Sequence, residues 1–337
     1  MITILNVALL SRWHVHADDY AREVLGNEKL AISFVWDEDK ARGEKWAEEL
    51  GVPFEKDLDT ALKSPEIDAV IVSTPTNLHK KVILAAAHNK KHVFTEKVLA
   101  FSAEDCEEIY QAMKQNDVEL MVSLPRLVEQ EFLQAQKVLE EGLLGTLTMI
   151  RCRLAHNGAV IPAGESEGWL PARFFNKEET GGGSLIDLGA HPIYLTNRLA
   201  GKAEAVTARL RMDEGKGVDQ SAAVIVDYAS GALGIIETGF MSYGSPFQLE
   251  LYGTEGTLMC KDGDIQLKSI HRGDGSWVTL AEEKSVPMPM EQWVGKIVNG
   301  KEPSITKEDV MNLTIINEAA ALSHQNGQTT QVGKIKA

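Results

Sequence analysis

Two short stretches carry the residues best able to do chemistry. Glu96-Lys97 follows an apolar run, His92–Thr95, and Gly181-Gly182-Gly183-Ser184-Leu185-Ile186-Asp187-Leu188-Gly189-Ala190-His191 comes later in the chain. A lysine ammonium can polarise a carbonyl or hold a hydroxyl oxygen as charge develops on it, and a pocket can draw its pKa toward neutrality. Histidine, with an ordinary pKa of about 6.5, is the side chain best suited to move a proton near neutral pH. Asp187 and His191 stand four apart, so a helical segment places both on one face. Asp187 there orients the imidazole, binds a substrate hydroxyl, or caps the helix that starts beside Pro192. A lysine and a histidine converging on one cleft supply what moving an alcohol proton beside a hydride acceptor requires.

The elements that must position these groups change character midway. In the first 120 residues the apolar runs Thr3–Leu10, Leu30–Trp36, Ala69–Val72, His92–Thr95 and Leu120–Ser123 show no alternation. Strands of that kind are covered on both faces, as in a parallel sheet. Between them lie helical stretches at Ala17–Leu25, Asp39–Leu50 with Gly51 as its terminating glycine, Leu58–Leu62 and Leu78–His88. Another runs from an N-cap at Ser102 to about Gln115. Repeated βα units predict a doubly wound α/β domain with its ligand cleft at the carboxyl ends of the strands. Five loops fall there: Ser11–His14, Asp37–Asp39, Ser73–His79, Glu96–Val98 and Leu124–Arg126.

After a helix at Glu129–Glu141, strand-like runs follow at Thr146–Ala155, Ala205–Arg211, Ala222–Tyr228, Ala232–Thr238 and Gln248–Tyr252. Alternation in Val206–Arg211 predicts a mostly antiparallel sheet with one open face. Helices at His191–Leu199 and Lys307–Gln325 cover the other. The expected domains are 1–124 and 125–337, with the helix at 307–325 able to pack back toward the first. An open sheet face is a natural subunit interface, so a homodimer or homotetramer is expected.

Composition narrows the partners. The 337 residues carry a net charge of −15, which argues against nucleic acid and anionic membranes. Cys106, Cys152 and Cys260 are too scattered for a disulfide framework or a zinc knuckle, which fits a reducing compartment. The first residues run straight into a strand without a basic flank or cleavage site, so a cytoplasmic protein is expected.

Asp37 ends the second strand, where a carboxylate accepts hydrogen bonds from the ribose hydroxyls of an adenosine and repels a 2′-phosphate. With Glu38 and Asp39 beside it, NAD is favoured over NADP, although Lys40 and Arg42 weaken the preference. The first turn opposes this: Ala8-Leu9-Leu10-Ser11-Arg12-Trp13-His14-Val15-His16-Ala17 has no glycine where a dinucleotide fold places G-x-G-x-x-G. Either the phosphates sit farther out or the loop takes another path. The Ser11 hydroxyl and Arg12 are candidates to bind phosphate oxygens, beside Trp13, His14 and the helix N-terminus. His14 and His16 share one side of an extended loop, but no cysteine or carboxylate pair at ligand spacing accompanies them. Capping or packing, not metal binding, is expected.

Taken together, His16-Ala17, Asp37, the stretch Asp68–Pro75 with His79, Glu96-Lys97 and Gly182–His191 resemble the Gfo/Idh/MocA oxidoreductase family over nearly the whole chain. The resemblance implies an N-terminal Rossmann domain, a C-terminal α/β domain with an open sheet, and NAD(P)-linked oxidation or reduction of a sugar, polyol or related hydroxy compound. It makes Lys97, Asp187 and His191 catalytic. Ser73, Thr74, Pro75, Asn77 and Glu96 then line the cofactor path, with His79 capping its helix there. Arg126, together with Trp169 and Arg173 in the long segment His156–Phe175, forms the substrate wall. Three features depart from the family: the missing glycines, Val98 where a proline is usual, and Tyr194 where an acid is common. Two rival readings are an NAD-retaining glycosidase or lyase with transient oxidation and a ligand-binding regulator without catalysis.

Overall fold

The structure is a computed structural model that describes residues 4–213 and 215–335. In the first part the elements are β1 (Leu5–Leu10), α1 (Ala17–Leu25), β2 (Leu30–Trp36), α2 (Lys40–Leu50), α3 (Leu58–Lys63), β3 (Ala69–Val72), α4 (Thr76–His88), β4 (His92–Thr95), α5 (Ala103–Asn116) and β5 (Leu120–Val122). Their strands form an all-parallel sheet in the order β2-β1-β3-β4-β5. Val7 to Leu10, Ala69 to Val72, and Val93 with Phe94 are almost wholly buried, so the unbroken apolar runs mark two covered faces. Phe54 makes a lone parallel bridge to Val35 on the outer side of β2. Counted as a vestigial strand, it completes the order of a dinucleotide-binding sheet.

Helix ends follow their local chemistry. The side chains of Asp39, Asp57 and Ser102 accept from the backbone N–H groups of Arg42, Thr60 and Asp105, and Gly51 ends α2 in the left-handed region at φ 69°.

The second part begins with a 3-10 turn at Pro125–Val128 and continues through α6 (Gln130–Glu140), β6 (Leu147–Ala155), α7 (Lys177–Thr180), α8 (Ala190–Ala200), β7 (Ala203–Met212), β8 (Asp219–Tyr228), β9 (Leu233–Gly239), β10 (Gln248–Gly253), β11 (Gly256–Lys261), β12 (Asp264–Ser269) and β13 (Val278–Thr279). It closes with α9 (Pro289–Asn299), α10 (Lys307–Asn326) and β14 (Thr330–Gln331). The sheet order is β13-β12-β11-β10-β6-β9-β8-β7-β14. Only β6 and β9 run parallel; every other pair is antiparallel. On β8, Ala222, Val224, Val226 and Tyr228 are buried while Ala223, Ile225 and Asp227 are exposed. That is the alternation of a sheet with one open face.

Contacts divide the chain into two compact units. Among the described residues, one holds those up to Ser123 together with Met288–Lys307, and the other holds Leu124–Pro287 and those from Glu308 to Ile335. Helix α9 thus belongs with the parallel sheet, where the Trp293 ring lies 5.8 Å from that of Phe94. All of α10 beyond Lys307 falls in the second unit. Among the described residues, no helix is long and apolar enough to cross a membrane.

Candidate active site

One residue of the first turn takes the left-handed backbone that glycine adopts most readily. Ser11 has φ 76°, left-handed backbone that an L residue enters at a cost of roughly 1–2 kcal/mol. Its buried hydroxyl accepts from the Trp13 N–H at 3.0 Å and donates to Glu38 Oε1 at 3.0 Å, which offsets that cost. The amides of the turn point into the protein: Arg12 N–H to Asp37 Oδ2 at 2.8 Å, His14 N–H to the Ser73 carbonyl at 3.1 Å, and His16 N–H to His14 Nδ1 at 3.2 Å. Helix α1 starts with no side-chain cap and with Asp18 and Asp19 in its first turn.

Asp37 is engaged on all sides. Besides the Arg12 amide it accepts from the Asp39 N–H at 2.8 Å, Arg42 Nε at 2.9 Å and Arg42 Nη2 at 2.6 Å, and its side chain is wholly buried. Those four bonds fill the roughly four acceptor positions of a carboxylate. Glu38 accepts both Ser11 Oγ and Arg42 Nη2 on Oε1, and its side chain is 24% exposed. Burial and the neighbouring Asp37 charge push the Glu38 carboxyl up. Burial would lower the Arg42 pKa, but Asp37 and Glu38 outweigh it and raise it. Arg12, expected on phosphate, pairs with Asp18 at 2.9 Å and Glu49 at 2.6 Å and lies over the Trp46 ring.

At the end of β4, Glu96 is buried and accepts the Tyr20 hydroxyl on Oε1 and the Lys97 N–H on Oε2 at 2.9 Å. His14 Nδ1 stands 3.6 Å from Oε1. Burial would raise the Glu96 pKa, but His14, His16, Lys97 and the Tyr20 bond outweigh it and hold the carboxyl below its usual range. Burial and the Glu96 charge push the Tyr20 phenol well up. Lys97 is 7% exposed, and the peptide bond to Val98 is cis.

His14, His16 and Glu96 each bring one ligand atom within 4.8 Å of the others, a donor set able to hold a cation. Glu96 is the carboxylate that spacing along the chain could not supply to the two histidines. Each of the three side chains also bonds to protein groups: Glu96 to Tyr20 and Lys97, His14 to the His16 amide, and His16 to Asp19 at 2.9 Å.

On the neighbouring loop, Ser73 and Thr74 are buried, Pro75 opens α4, and Asn77 is exposed. The Thr74 hydroxyl is buried without a hydrogen-bond partner. His79 does not cap its helix. Its Nδ1 lies 3.0 Å from the Val98 carbonyl and 3.3 Å from that of Leu99, and its Nε2 lies 3.1 Å from the Thr74 carbonyl. The ring fastens the Lys97 loop to the Ser73–Thr74 loop, and burial lowers its pKa against those three contacts.

In the second unit the glycine-rich loop is organised by a residue far along the chain. Buried Asp219 accepts from Gly183 N–H at 2.9 Å, Ser184 Oγ at 2.8 Å and Leu185 N–H at 2.8 Å. A Cβ on Gly183 would lie 2.0 Å from the Asp219 carbonyl oxygen, so glycine there permits close approach to β8. Asp187 sits in the turn before α8, whose N-cap position is Gly189, so Asp187 is not the helix cap. His191, half-buried in the first turn of α8, has Nδ1 2.7 Å from the hydroxyl of fully buried Tyr194. The Arg126 N–H donates to the same hydroxyl at 3.2 Å. The Arg126 guanidinium pairs with Glu129 at 2.8 Å and lies over Phe247. Trp169 is 59% exposed and donates to Asn157, while half-buried Arg173 lies near Phe174.

The structure thus joins Ser11, Arg12, Trp13, Asp37, His14, Ser73, Glu96 and Lys97 through direct hydrogen bonds or close contacts, and joins Arg126 to His191 through Tyr194. Sequence reasoning missed Tyr20, the structural part of Arg42, and Asp219. Tyr20 had a signal, since it falls four after His16 on α1 and helical periodicity buries it. Asp219 had none.

A parallel sheet in dinucleotide order and an orphaned Thr74 hydroxyl at the carboxyl edge fit a nicotinamide dinucleotide. They define the class: a dinucleotide-binding protein carrying a second, open-sheet unit. The chain belongs to the Gfo/Idh/MocA oxidoreductase family. Residues 13–124 match the oxidoreductase family's NAD-binding Rossmann fold, and residues 132–259 match the GFO/IDH/MocA C-terminal domain. The chain is 27% identical over 334 residues to scyllo-inositol 2-dehydrogenase (NAD(+)) of Bacillus subtilis (strain 168), covering 95% of this chain and 93% of that protein. Over 140 residues, 42% of this chain and 37% of that one, it is 35% identical to 2,7-anhydro-N-acetylneuraminate hydratase of Escherichia coli (strain K12). A levoglucosan dehydrogenase solved with NADH and levoglucosan shares the fold, with a TM-score of 0.84 at 22% identity over 98% of this chain and all of that one.

Proposed function

We propose that the protein is an NAD-dependent dehydrogenase or reductase acting on a CH–OH group of a sugar, polyol or related compound. The observation that carries this reading is Lys97, a buried lysine on the carboxyl edge of a dinucleotide-type sheet, tied through its own N–H to buried Glu96. Lysine is almost never so buried without a task or a partner. When bound, nicotinamide takes up or delivers the hydride. Lys97 holds the substrate oxygen and stabilises its developing charge, His191 serves that oxygen's proton, and Asp187 orients the substrate hydroxyls. On the cofactor side, Thr74 offers its hydroxyl, and Glu38 rather than the saturated Asp37 receives the ribose hydroxyls. The similarity to an inositol dehydrogenase over most of both chains supports a polyol or sugar substrate.

Turnover of a polyol and sugar panel with NAD tests this directly. Lys97→Met and His191→Ala should each lower kcat by about 10²–10⁴-fold. Loss within threefold for both would sink the assignment.

The hydratase similarity favours a second reading, a reaction with no net redox change in which NAD stays bound. Product formed without added NAD, and without net NADH, would select it. The open face of the second sheet, with Ile225 and Met259 exposed near the Arg151–Glu237–Glu250 cluster, supports a homodimer or homotetramer, read by light scattering. Three buried cysteines outside any disulfide support the cytoplasm as its location.

A further inference from the structure

Tyr194 is fully buried, and its hydroxyl bridges two groups of different character. An amide N–H can only donate, so the Arg126 N–H at 3.2 Å occupies a lone pair on the phenol oxygen. The much closer contact, 2.7 Å to His191 Nδ1, is where the phenol's single hydrogen fits best. We propose that Tyr194 is a positioning residue that fixes His191 as the neutral tautomer bearing its hydrogen on Nε2. The chain of donation runs Arg126 N–H to Tyr194 O–H to His191 Nδ1, which puts the ring's own hydrogen on Nε2.

A carboxylate at position 194 would give the opposite result. It could only accept, would hold the hydrogen on Nδ1, and would leave Nε2 as a base. The tyrosine therefore changes what the resting histidine offers a substrate oxygen. A neutral imidazole with hydrogen on Nε2 polarises a carbonyl, the electrophile's role, and must invert its tautomer before it can remove an alcohol proton. The resting site is thus set for carbonyl reduction. This rests on the proposed role of His191 at the substrate oxygen, but the tautomer itself can be observed without any substrate.

The test is nitrogen NMR of the full chain labelled with 15N-histidine at about pH 8, above the ordinary histidine pKa of about 6.5. His191 is assigned by the signals that vanish in His191→Asn. The expected spectrum has Nδ1 unprotonated and Nε2 protonated in the wild type, with mixed tautomers in Tyr194→Phe. A wild-type ring protonated on Nδ1 overturns the proposal. In kinetics, Tyr194→Phe should lower kcat for carbonyl reduction by at least about tenfold while KM for NADH stays unchanged. An unchanged kcat overturns the positioning role. If Tyr194→Phe does not fold, the wild-type spectrum alone decides. An Nε2-protonated ring combined with full turnover by His191→Ala upholds the tautomer and overturns only the catalytic reading.

Discussion

Replacing Asp219 with alanine should loosen the loop that leads into Asp187 and His191. The wild-type carboxylate takes three hydrogen bonds from that loop, at 2.9, 2.8 and 2.8 Å, inside a buried pocket. A hydrogen bond to a charged group contributes about 1.5–3 kcal/mol, and each buried N–H left without an acceptor costs about 1–3 kcal/mol. These overlap and do not add fully, so the expected loss is about 3–6 kcal/mol. For a unit of this size that corresponds to a fall in melting temperature of roughly 6–24 °C. Differential scanning calorimetry reads it, and kcat should fall in parallel while NAD affinity changes little. Asp219→Asn should recover less than half of the loss, because its amide sets an N–H against the Leu185 or Gly183 N–H. Gly183→Ala should produce a comparable loss with the carboxylate intact, since its Cβ would fall 2.0 Å from the Asp219 carbonyl oxygen. If Asp219→Ala melts within about 2 °C of wild type, the claim that this carboxylate organises the loop fails.

Three further outcomes follow from the first unit. Ser11→Gly relieves the left-handed backbone but loses the three hydroxyl bonds to Glu38, the Trp13 N–H and Arg42, so its stability in urea should stay within about 1 kcal/mol of wild type. Ser11→Ala keeps the strain and loses the bonds, and should cost about 1–3 kcal/mol. Glu38→Ala should raise KM for NAD by about tenfold or more with kcat unchanged, the signature of lost uniform binding; an unaltered KM would return the ribose contact to Asp37. The Glu96 pKa is lower folded than unfolded, so the ionised form stabilises the fold above the unfolded value near 4.5, and that contribution disappears as pH falls through the folded value. The stability gap between wild type and Glu96→Gln should therefore be widest above about pH 5 and narrow as the solution is acidified through and below the unfolded value, and a gap independent of pH would contradict this.

Much of the fold was legible where local chemistry decides the outcome. The caps at Asp39 and Ser102 and the αL glycine at Gly51 are readable because each depends on neighbours within four residues. The parallel sheet was readable from apolar runs without alternation. The hairpin of β11 and β12 escaped notice, although its two-residue turn carries a signal. Asp262 and Gly263 have φ 46° and 84°, and Asp-Gly is a favoured pair where both residues take positive φ. Helix α9 also carried its mark in Pro289 at the first turn. The site was legible as residue types but not as partnerships. Tyr20 meets Glu96 across 76 positions, and Asp219 meets Gly183 across 36. No periodicity spans such separations; only the folded sheets bring those residues together.

In the glycine-free turn, side chains take up work that glycine would leave to the backbone. Glycine provides positive φ without side-chain atoms, which leaves the adjacent carboxylate available to a ribose. Ser11 provides the same φ but needs its hydroxyl anchored, and Glu38 is the anchor. Arg42 then closes the cluster by bonding Asp37 twice and Glu38 once. An arginine near the end of the second strand would ordinarily argue for a 2′-phosphate, and in the sequence Arg42 weakened the case for NAD. Held by two carboxylates, it has little positive field left to offer, while the half-exposed edge of Glu38 would repel a phosphate. Preference for NAD therefore does not require Asp37 to touch the ribose. On the proposed reading it follows from a turn that has locked its nearest cation inward and left an acid at the rim.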